Sequence, residues 1–339
     1  MKLKTYVLST LCLLLILSSC KKDDDSFEEI PLRDRTEQQL ADLDSLKNYL
    51  STHYYNRATF EVPGNHTISE IIIKELPKDA SGNFLPMPDA ENNQLLIDAV
   101  EAKTTKYLDV DYQYYILSLN EGGGENPHFS DKVRVNYNGF LPTGKSFDSS
   151  VTPVEFELLS LVPGWKEVMP HFKTSENFNE NEDGTITFNN YGLGIMFLPS
   201  GLGYYGNPTS GGIPAYSNLM FSFELYQSEI MDHDGDGIPT YMEDLNGDKN
   251  LYNDDTDADG VPNFLDTDDD GDRVLTINEM TRQIYTINTN NGEVEPVFEA
   301  NEFVRSRTNN DGIITITTLK FVDSDGDGVW DHLQKDIKI

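Results

Sequence analysis

Residues 131–150 read DKVRVNYNGFLPTGKSFDSS. Val133, Val135 and Tyr137 alternate with Arg134 and Asn136, the period-2 pattern of a strand with one buried face. Gly139 follows, then a turn with Pro142 and Gly144, then Phe147-Asp148 and two serines. Strand, glycine, turn and second strand make a hairpin that sets an aromatic ring beside a carboxylate. The hairpin alone carries no chemistry, and its meaning depends on what surrounds it.

A chain of 339 residues suggests one or two domains. It has 25 Lys+Arg against 58 Asp+Glu, a net charge of −33. Nucleic acid is excluded as a partner, because phosphate contacts need basic side chains. The balance favours solubility and cations. Both cysteines, Cys12 and Cys20, precede residue 21, so no disulfide is expected in the mature domain.

Lys2 and Lys4 precede an apolar stretch, Tyr6–Leu17, that is too short to span a bilayer as a mature helix. Residues 1–19 read as a signal peptide. Leu17-Ser18-Ser19-Cys20 resembles a bacterial lipobox, which implies lipidation of Cys20; an ordinary secretory cleavage nearby is the alternative. Lys21–Ser26, KKDDDS, resembles the surface-export signal of Bacteroidetes lipoproteins, or is a solvated tether, and residues 20–36 are assigned as tether. The implied location is the bacterial outer membrane, lipid-anchored and facing the periplasm or the cell surface.

Residues 37–108 form a helical and mixed extension. Leu40, Leu43, Leu46 and Leu50 recur at helical spacing, with Thr36 as the expected N-cap. Ile71–Ile73 reads as a strand, and Lys78–Asn93, rich in Pro, Asp, Asn and Gly, as a loop. His53, His66 and His128 stand apart without neighbours at ligand spacing and read as surface histidines. From Asp109 strand character strengthens, with Tyr112, Tyr114 and Ile116 alternating. Gly122-Gly123-Gly124 lacks a following Gly-Lys-Ser/Thr and reads as a turn rather than a phosphate loop.

Four blocks then occur in order: Val133–Ser150, Val162-Pro163-Gly164-Trp165, Pro199–Gly206, and Ile213-Pro214 followed by Asn218–Leu225. Together they resemble the FKBP-type peptidyl-prolyl cis-trans isomerases, and residues 109–228 are assigned to such a domain. The resemblance implies an α+β fold, a half-wrapped antiparallel sheet around one short helix, with the helix starting near Trp165–Met169. It implies a pocket of Tyr137, Phe147, Asp148, Leu161, Val162, Trp165, Ile213 and Phe221, with Trp165 as its floor. A ligand-binding tyrosine would be Tyr205, with Tyr204 as its rival, because PSGLGYYG is one residue longer than the family pattern. The chain departs from the family at Val154, where an aromatic is usual unless Phe156 replaces it. It also lacks a basic partner for the pocket carboxylate and carries a long polar insertion between Met169 and Ile195.

Residues 229–339 change character. Asp232, Asp234 and Asp236 precede Gly237, with Glu243 twelfth. Asp255, Asp257 and Asp259 precede Gly260, with Asp266 twelfth; Asp268, Asp270 and Asp272 precede Arg273, with Glu279 twelfth. Asp323, Asp325 and Asp327 precede Gly328, and Asp244, Asn246 and Asp248 form a weaker copy. Oxygens at alternate positions of a turning loop suit a hard cation that takes about six to eight oxygen ligands, namely calcium. Pro239 and Pro262 stand where an EF-hand would carry helix, so the run resembles thrombospondin type 3 repeats. Asn309–Gly312 reads as a hairpin turn before a strand at Ile313–Thr317.

The expectation is a lipoprotein prolyl isomerase that assists the folding of proline-containing exported polypeptides, needs no cofactor for catalysis and carries a calcium-stabilised C-terminal module. The alternative is a non-enzymatic FKBP-fold binding module on a calcium-stabilised spacer or adhesin.

Overall fold

The leucine spacing produces an 18-residue helix, α1 (Arg35–Thr52). Its N-cap is Asp34 rather than Thr36: the Asp34 carboxylate accepts the Glu37 N–H at 3.0 Å. A carboxylate there satisfies an orphan donor and meets the positive end of the helix, which leaves Thr36 inside the first turn. The tether boundary expected at residue 36 therefore falls within the helix. Leu46 and Leu50 are fully buried, Leu43 partly, and Leu40 stays exposed. After α1, β1 (His53–Tyr55), β2 (Ile73–Glu75) and β3 (Gln94–Leu95) make a small sheet in the order β2-β1-β3.

The main sheet follows. Its strands are β4 (Glu101–Tyr107), β5 (Val110–Asn120), β6 (Lys132–Phe140) and β7 (Ser146–Glu157). After α2 (Pro163–Val168) and a separate hairpin of β8 (Asn177–Glu180) and β9 (Ile186–Asn189), it is completed by β10 (Gly192–Leu198) and β11 (Leu219–Glu229). The order is β4-β5-β10-β11-β6-β7, antiparallel throughout. Because β4 pairs with β5 along its length, the sheet begins at Glu101, ahead of the boundary expected at 109. The β8–β9 hairpin occupies the polar insertion.

Each face of this sheet has its own core. On one, Val133, Val135, Tyr137, Met196, Phe221, Phe223 and Leu225 close on Trp165 and Val168 of α2. On the other, Tyr115, Leu117, Ile195, Phe197 and Met220 close on Leu46, Tyr49 and Leu50 of α1. The fold class is α+β with antiparallel sheets and few helices, as expected.

In the C-terminal part, β12 (Thr281–Asn288), β13 (Glu302–Asn310) and β14 (Ile313–Lys320) form a sheet in the order β12-β14-β13. Asp311 and Gly312 take positive φ in the β13–β14 turn. The acidic loops run into single 3-10 turns, Thr240–Glu243, Leu251–Asn253, Asn263–Leu265, Thr276–Asn278 and Asp331–Leu333. Ile238, Met280, Phe303, Leu319 and Phe321 build a local core, with Trp330 packed against it.

The computed structural model describes residues 32–208 and 212–337. The chain divides into two units, Met1–Arg33 and Asp34–Ile339, and the architecture above is that of the second. The segment expected to be a signal peptide, residues 1–19, and Cys20 lie outside the described residues. Among the described residues no helix is long and apolar enough to cross a membrane.

Packing of α1 on the sheet makes a direct prediction. Leu46→Ala empties a fully buried site and is expected to cost about 2–5 kcal/mol. The denaturant midpoint followed by tryptophan fluorescence should fall accordingly; an unchanged midpoint would show that α1 is not part of the sheet's cooperative unit.

Candidate functional site: an aromatic pocket and a set of acidic loops

The face closed by α2 carries a nest of rings. Trp165, on the first turn of α2, is 2% exposed and lies at the centre. Phe221 of β11 meets it edge-on at 5.3 Å, and Tyr137 of β6 at 5.9 Å. Phe147 of β7 meets Phe221 at 5.5 Å and 88°. Phe156, also on β7, packs against both Tyr137 (5.4 Å) and Trp165 (6.1 Å), and so supplies the aromatic that Val154 lacks. Ile213 is buried in the same cluster, while Leu161, Val162 and Phe147 are partly buried at its margin. Gly139 makes room for the rings: a Cβ there would lie 2.7 Å from the Phe147 ring and 2.9 Å from that of Phe221.

The polar element is one hydrogen bond. Tyr137 Oη donates to Asp148 Oδ2 at 2.7 Å, from adjacent strands whose register sets Asp148 opposite Gly139. Burial raises the Tyr137 pKa, and the hydrogen bond to Asp148 raises it further, so the phenol stays protonated and a donor. Asp148 itself is exposed and keeps acceptor capacity beyond that bond, since a carboxyl group has a second oxygen.

Tyr205 does not join this group. Its ring packs under the Arg35 guanidinium at 4.1 Å and against Tyr216 at 5.0 Å, on the α1 side of its loop. Tyr205 holds a left-handed backbone (φ 51°), which turns successive side chains to different sides. Tyr204 packs against the Trp165 cluster instead, close enough to Tyr137 to raise its pKa. The geometry thus favours Tyr204 as the pocket tyrosine.

A second carboxylate holds the same loop from outside. Asp42 of α1 is 3% exposed. Its Oδ2 accepts the Ser200 N–H (2.8 Å) and the Ser200 hydroxyl (2.6 Å), and its Oδ1 accepts Gln38 Nε2 (2.6 Å). Asn218 Nδ2 reaches the Asp42 carbonyl at 3.2 Å. Both ends of the segment that carries Tyr204 and Ile213 are therefore tied to α1.

The acidic loops share one conformation. In each, the first carboxylate accepts the N–H five residues on: Gly237 to Asp232, Lys249 to Asp244, Gly260 to Asp255, Arg273 to Asp268 and Gly328 to Asp323. Those five donors all have positive φ. The triads Asp232-Asp234-Asp236, Asp255-Asp257-Asp259, Asp268-Asp270-Asp272 and Asp323-Asp325-Asp327 each bring carboxylate oxygens within 4.8 Å of one another. Glu279 does not enter its triad, but burial first, and then Asp270, Asp272 and Asp268, push its carboxyl up to about 8. Asp266 likewise stays outside its triad; burial raises its pKa first, and Asp259 and Asp257 add to the shift.

One further cluster was not legible in the loop spacing. Asp236 and Glu243 of the first loop meet Asp269 of the fourth within 4.8 Å, and each of the three is 2% exposed. Asp269 is the second residue of its loop, between the alternate ligand positions. Asp236 Oδ2, both Glu243 oxygens and both Asp269 oxygens have no hydrogen-bond partner. Burial, then the neighbouring carboxylates, push Glu243 up to about 11 and Asp269 to about 9. Uncompensated buried carboxylates are costly, and a donor set of oxygens alone fits a hard divalent cation.

Residues 123–226 match the family model of FKBP-type peptidyl-prolyl cis-trans isomerases, and residues 233–306 match a model described as BamM C-terminal. The FKBP-type isomerase FkpA of Aeromonas hydrophila is 30% identical over 172 residues, covering 50% of this chain and 55% of that protein. FkpA of Escherichia coli K12 is 31% identical over 154 residues, covering 44% and 48%. The crystal structure of Escherichia coli FkpA superposes with a TM-score of 0.30 at 29% identity, over 39% of this chain and 52% of that one. The chain spans about half the length of these curated relatives. Residues 123–226 carry an FKBP-type peptidyl-prolyl isomerase domain.

Proposed function

We propose that the chain is a peptidyl-prolyl cis-trans isomerase acting on proline-containing exported polypeptides, anchored as a lipoprotein through Cys20 and stabilised by calcium in its C-terminal loops. The observation that carries the catalytic part is the assembled pocket: Trp165, Tyr137, Phe147 and Phe221 around one Tyr137–Asp148 hydrogen bond.

Such a pocket suits rotation about an amide. The barrier is about 18–20 kcal/mol because the planar amide is resonance-stabilised. Xaa-Pro bonds interconvert unaided over roughly tens to hundreds of seconds. Twisting the bond uncouples nitrogen from carbonyl and makes the amide less polar. Apolar rings that receive the proline ring and exclude water favour that form over the planar one. Each roughly 1.4 kcal/mol of such preference is tenfold in rate. Asp148 and the tyrosine hydroxyls hold the peptide backbone in register; no nucleophile or proton transfer is needed.

The oxygen-lined loops and the buried Asp236–Glu243–Asp269 group support the calcium reading. The ion's part there is to neutralise carboxylates and order the module. The lipobox-like Leu17–Cys20 supports the anchor, at the outer membrane and facing the periplasm or the surface.

Three measurements test this reading. In a cis-to-trans assay on an Xaa-Pro peptide, the full chain should accelerate exchange. A Trp165→Ala, Phe147→Ala double variant should lose that acceleration. Tyr137→Phe, which removes one hydrogen bond worth about 0.5–1.5 kcal/mol, should lower kcat/KM by roughly two- to tenfold. No acceleration by the folded protein would leave a binding module in place of an enzyme. In thermal unfolding, calcium at about 100 times its dissociation constant should add about 2.7 kcal/mol per site; a Tm that ignores both calcium and chelator would refute the calcium reading. Cys20→Ser should shift the protein from the membrane to the soluble fraction, and retention in the membrane would count against a lipid anchor.

A further inference from the structure

Two joints connect the acidic loops to the pocket domain. His128 stacks on Tyr241 with ring centroids 3.5 Å apart and planes 5° off parallel. Lys249 Nζ pairs with Glu167 Oε2 at 2.7 Å, and Lys166 Nζ donates to the Lys249 carbonyl at 2.6 Å. Lys166 and Glu167 directly follow Trp165 on α2, and Glu167 is 5% exposed.

Lys249 is an unexpected residue for its position. It stands sixth in its loop, where three of the other four loops have glycine, and it takes φ 60° there. A side chain in the left-handed region is disfavoured and persists only where the surroundings over-determine it. What the lysine adds over glycine is the reach to Glu167.

Both joints sit next to the buried carboxylate cluster. Tyr241 lies in the Thr240–Glu243 turn, and Glu243, the last residue of that turn, belongs to the cluster. Asp244, the next residue, accepts the Lys249 N–H at 3.0 Å and begins the loop that carries Lys249. The cluster is built as a ligand site: three carboxylates from two loops, each nearly fully buried, with unpartnered oxygens on all three.

We propose that Asp236, Glu243 and Asp269 hold one divalent cation between the first and fourth loops, and that this ion, by fixing the Thr240–Glu243 turn, sets the Tyr241 and Lys249 joints and so the seating of the helix that carries Trp165. The inference rests on the calcium reading of the loops and goes beyond it in two respects. Asp269 becomes a ligand outside the alternate-position pattern, and ion occupancy is transmitted to the pocket. Without the ion, the buried oxygens of Asp236, Glu243 and Asp269 lack partners, and burying unpartnered polar groups opposes the turn. With it, the turn is fixed and Lys249 is presented to Glu167.

The test uses the full chain with Trp330→Phe, so that Trp165 is the sole tryptophan. Calcium is titrated and followed by calorimetry and by Trp165 emission. The expected result is that Asp269→Asn binds one ion fewer, or binds it at least about tenfold more weakly, and loses the emission change. Lys249→Met, a substitution of a half-exposed side chain, should keep the ion count and lose most of the emission change. If no calcium binds at all, the calcium reading itself falls. If calcium binds but Asp269→Asn leaves count and affinity unchanged, the inter-loop site is overturned while that reading stands. If Trp165 emission ignores calcium in the parent, or responds equally in Lys249→Met, the coupling is overturned.

Discussion

The double burial of β10 and β11 is the constraint from which the rest of the structure follows. Every residue of β10, and β11 from Leu219 to Tyr226, is buried. A sheet whose central strands are apolar on both faces must be covered on both. One cover is α2 with Trp165 and the rings around it; the other is α1. The segment upstream of the FKBP-type domain is therefore more than a spacer. It completes the sheet, and through Asp42 it also grips the loop that presents Tyr204.

Buried carboxylates are resolved in two ways in this molecule. Asp42 is surrounded by donors, the Ser200 N–H and hydroxyl and the Gln38 amide, so its charge is compensated by hydrogen bonds within the fold. Asp236, Glu243 and Asp269 are equally buried but have one another for neighbours and oxygens without donors. The same side-chain chemistry is a hydrogen-bonded structural contact in one place and a cluster of oxygens without donors in the other. This contrast separates the pocket half, complete in itself, from the acidic half.

Much of this was legible in the sequence. The alternation at Val133–Tyr137 and Leu219–Leu225 fixes which side chains share the α2 face, so the pocket follows once the helix is placed. The order of acids and glycines gives the loops directly. What was not legible depends on geometry that spacing does not encode. The choice between Tyr204 and Tyr205 turns on a single left-handed φ at Tyr205. Asp42 sits in a helix full of charged residues and reads as solvated until Ser200 is brought against it. Asp269 falls between the alternate positions of its own loop, and its nearness to Asp236 and Glu243 appears only when the first loop folds alongside. Asp34 replaced Thr36 as cap because both are good caps, and only the backbone path decides between them.

The pairing of Asp42 with Ser200 spans 158 residues of chain. Contacts that close such long loops form slowly, because their entropy must be spent before they return anything. The apolar partners of Leu46 and Leu50 include Ile195, Phe197 and Met220, which lie far downstream. During synthesis from the N-terminal end, α1 emerges first and meets its covering surface only after β10 and β11 have appeared. An isolated helix of this length is marginal in water. The order of emergence thus leaves the leucine stripe without its native cover until the chain is two-thirds out, and the tyrosine loop of the pocket can be set only in the last stage of folding.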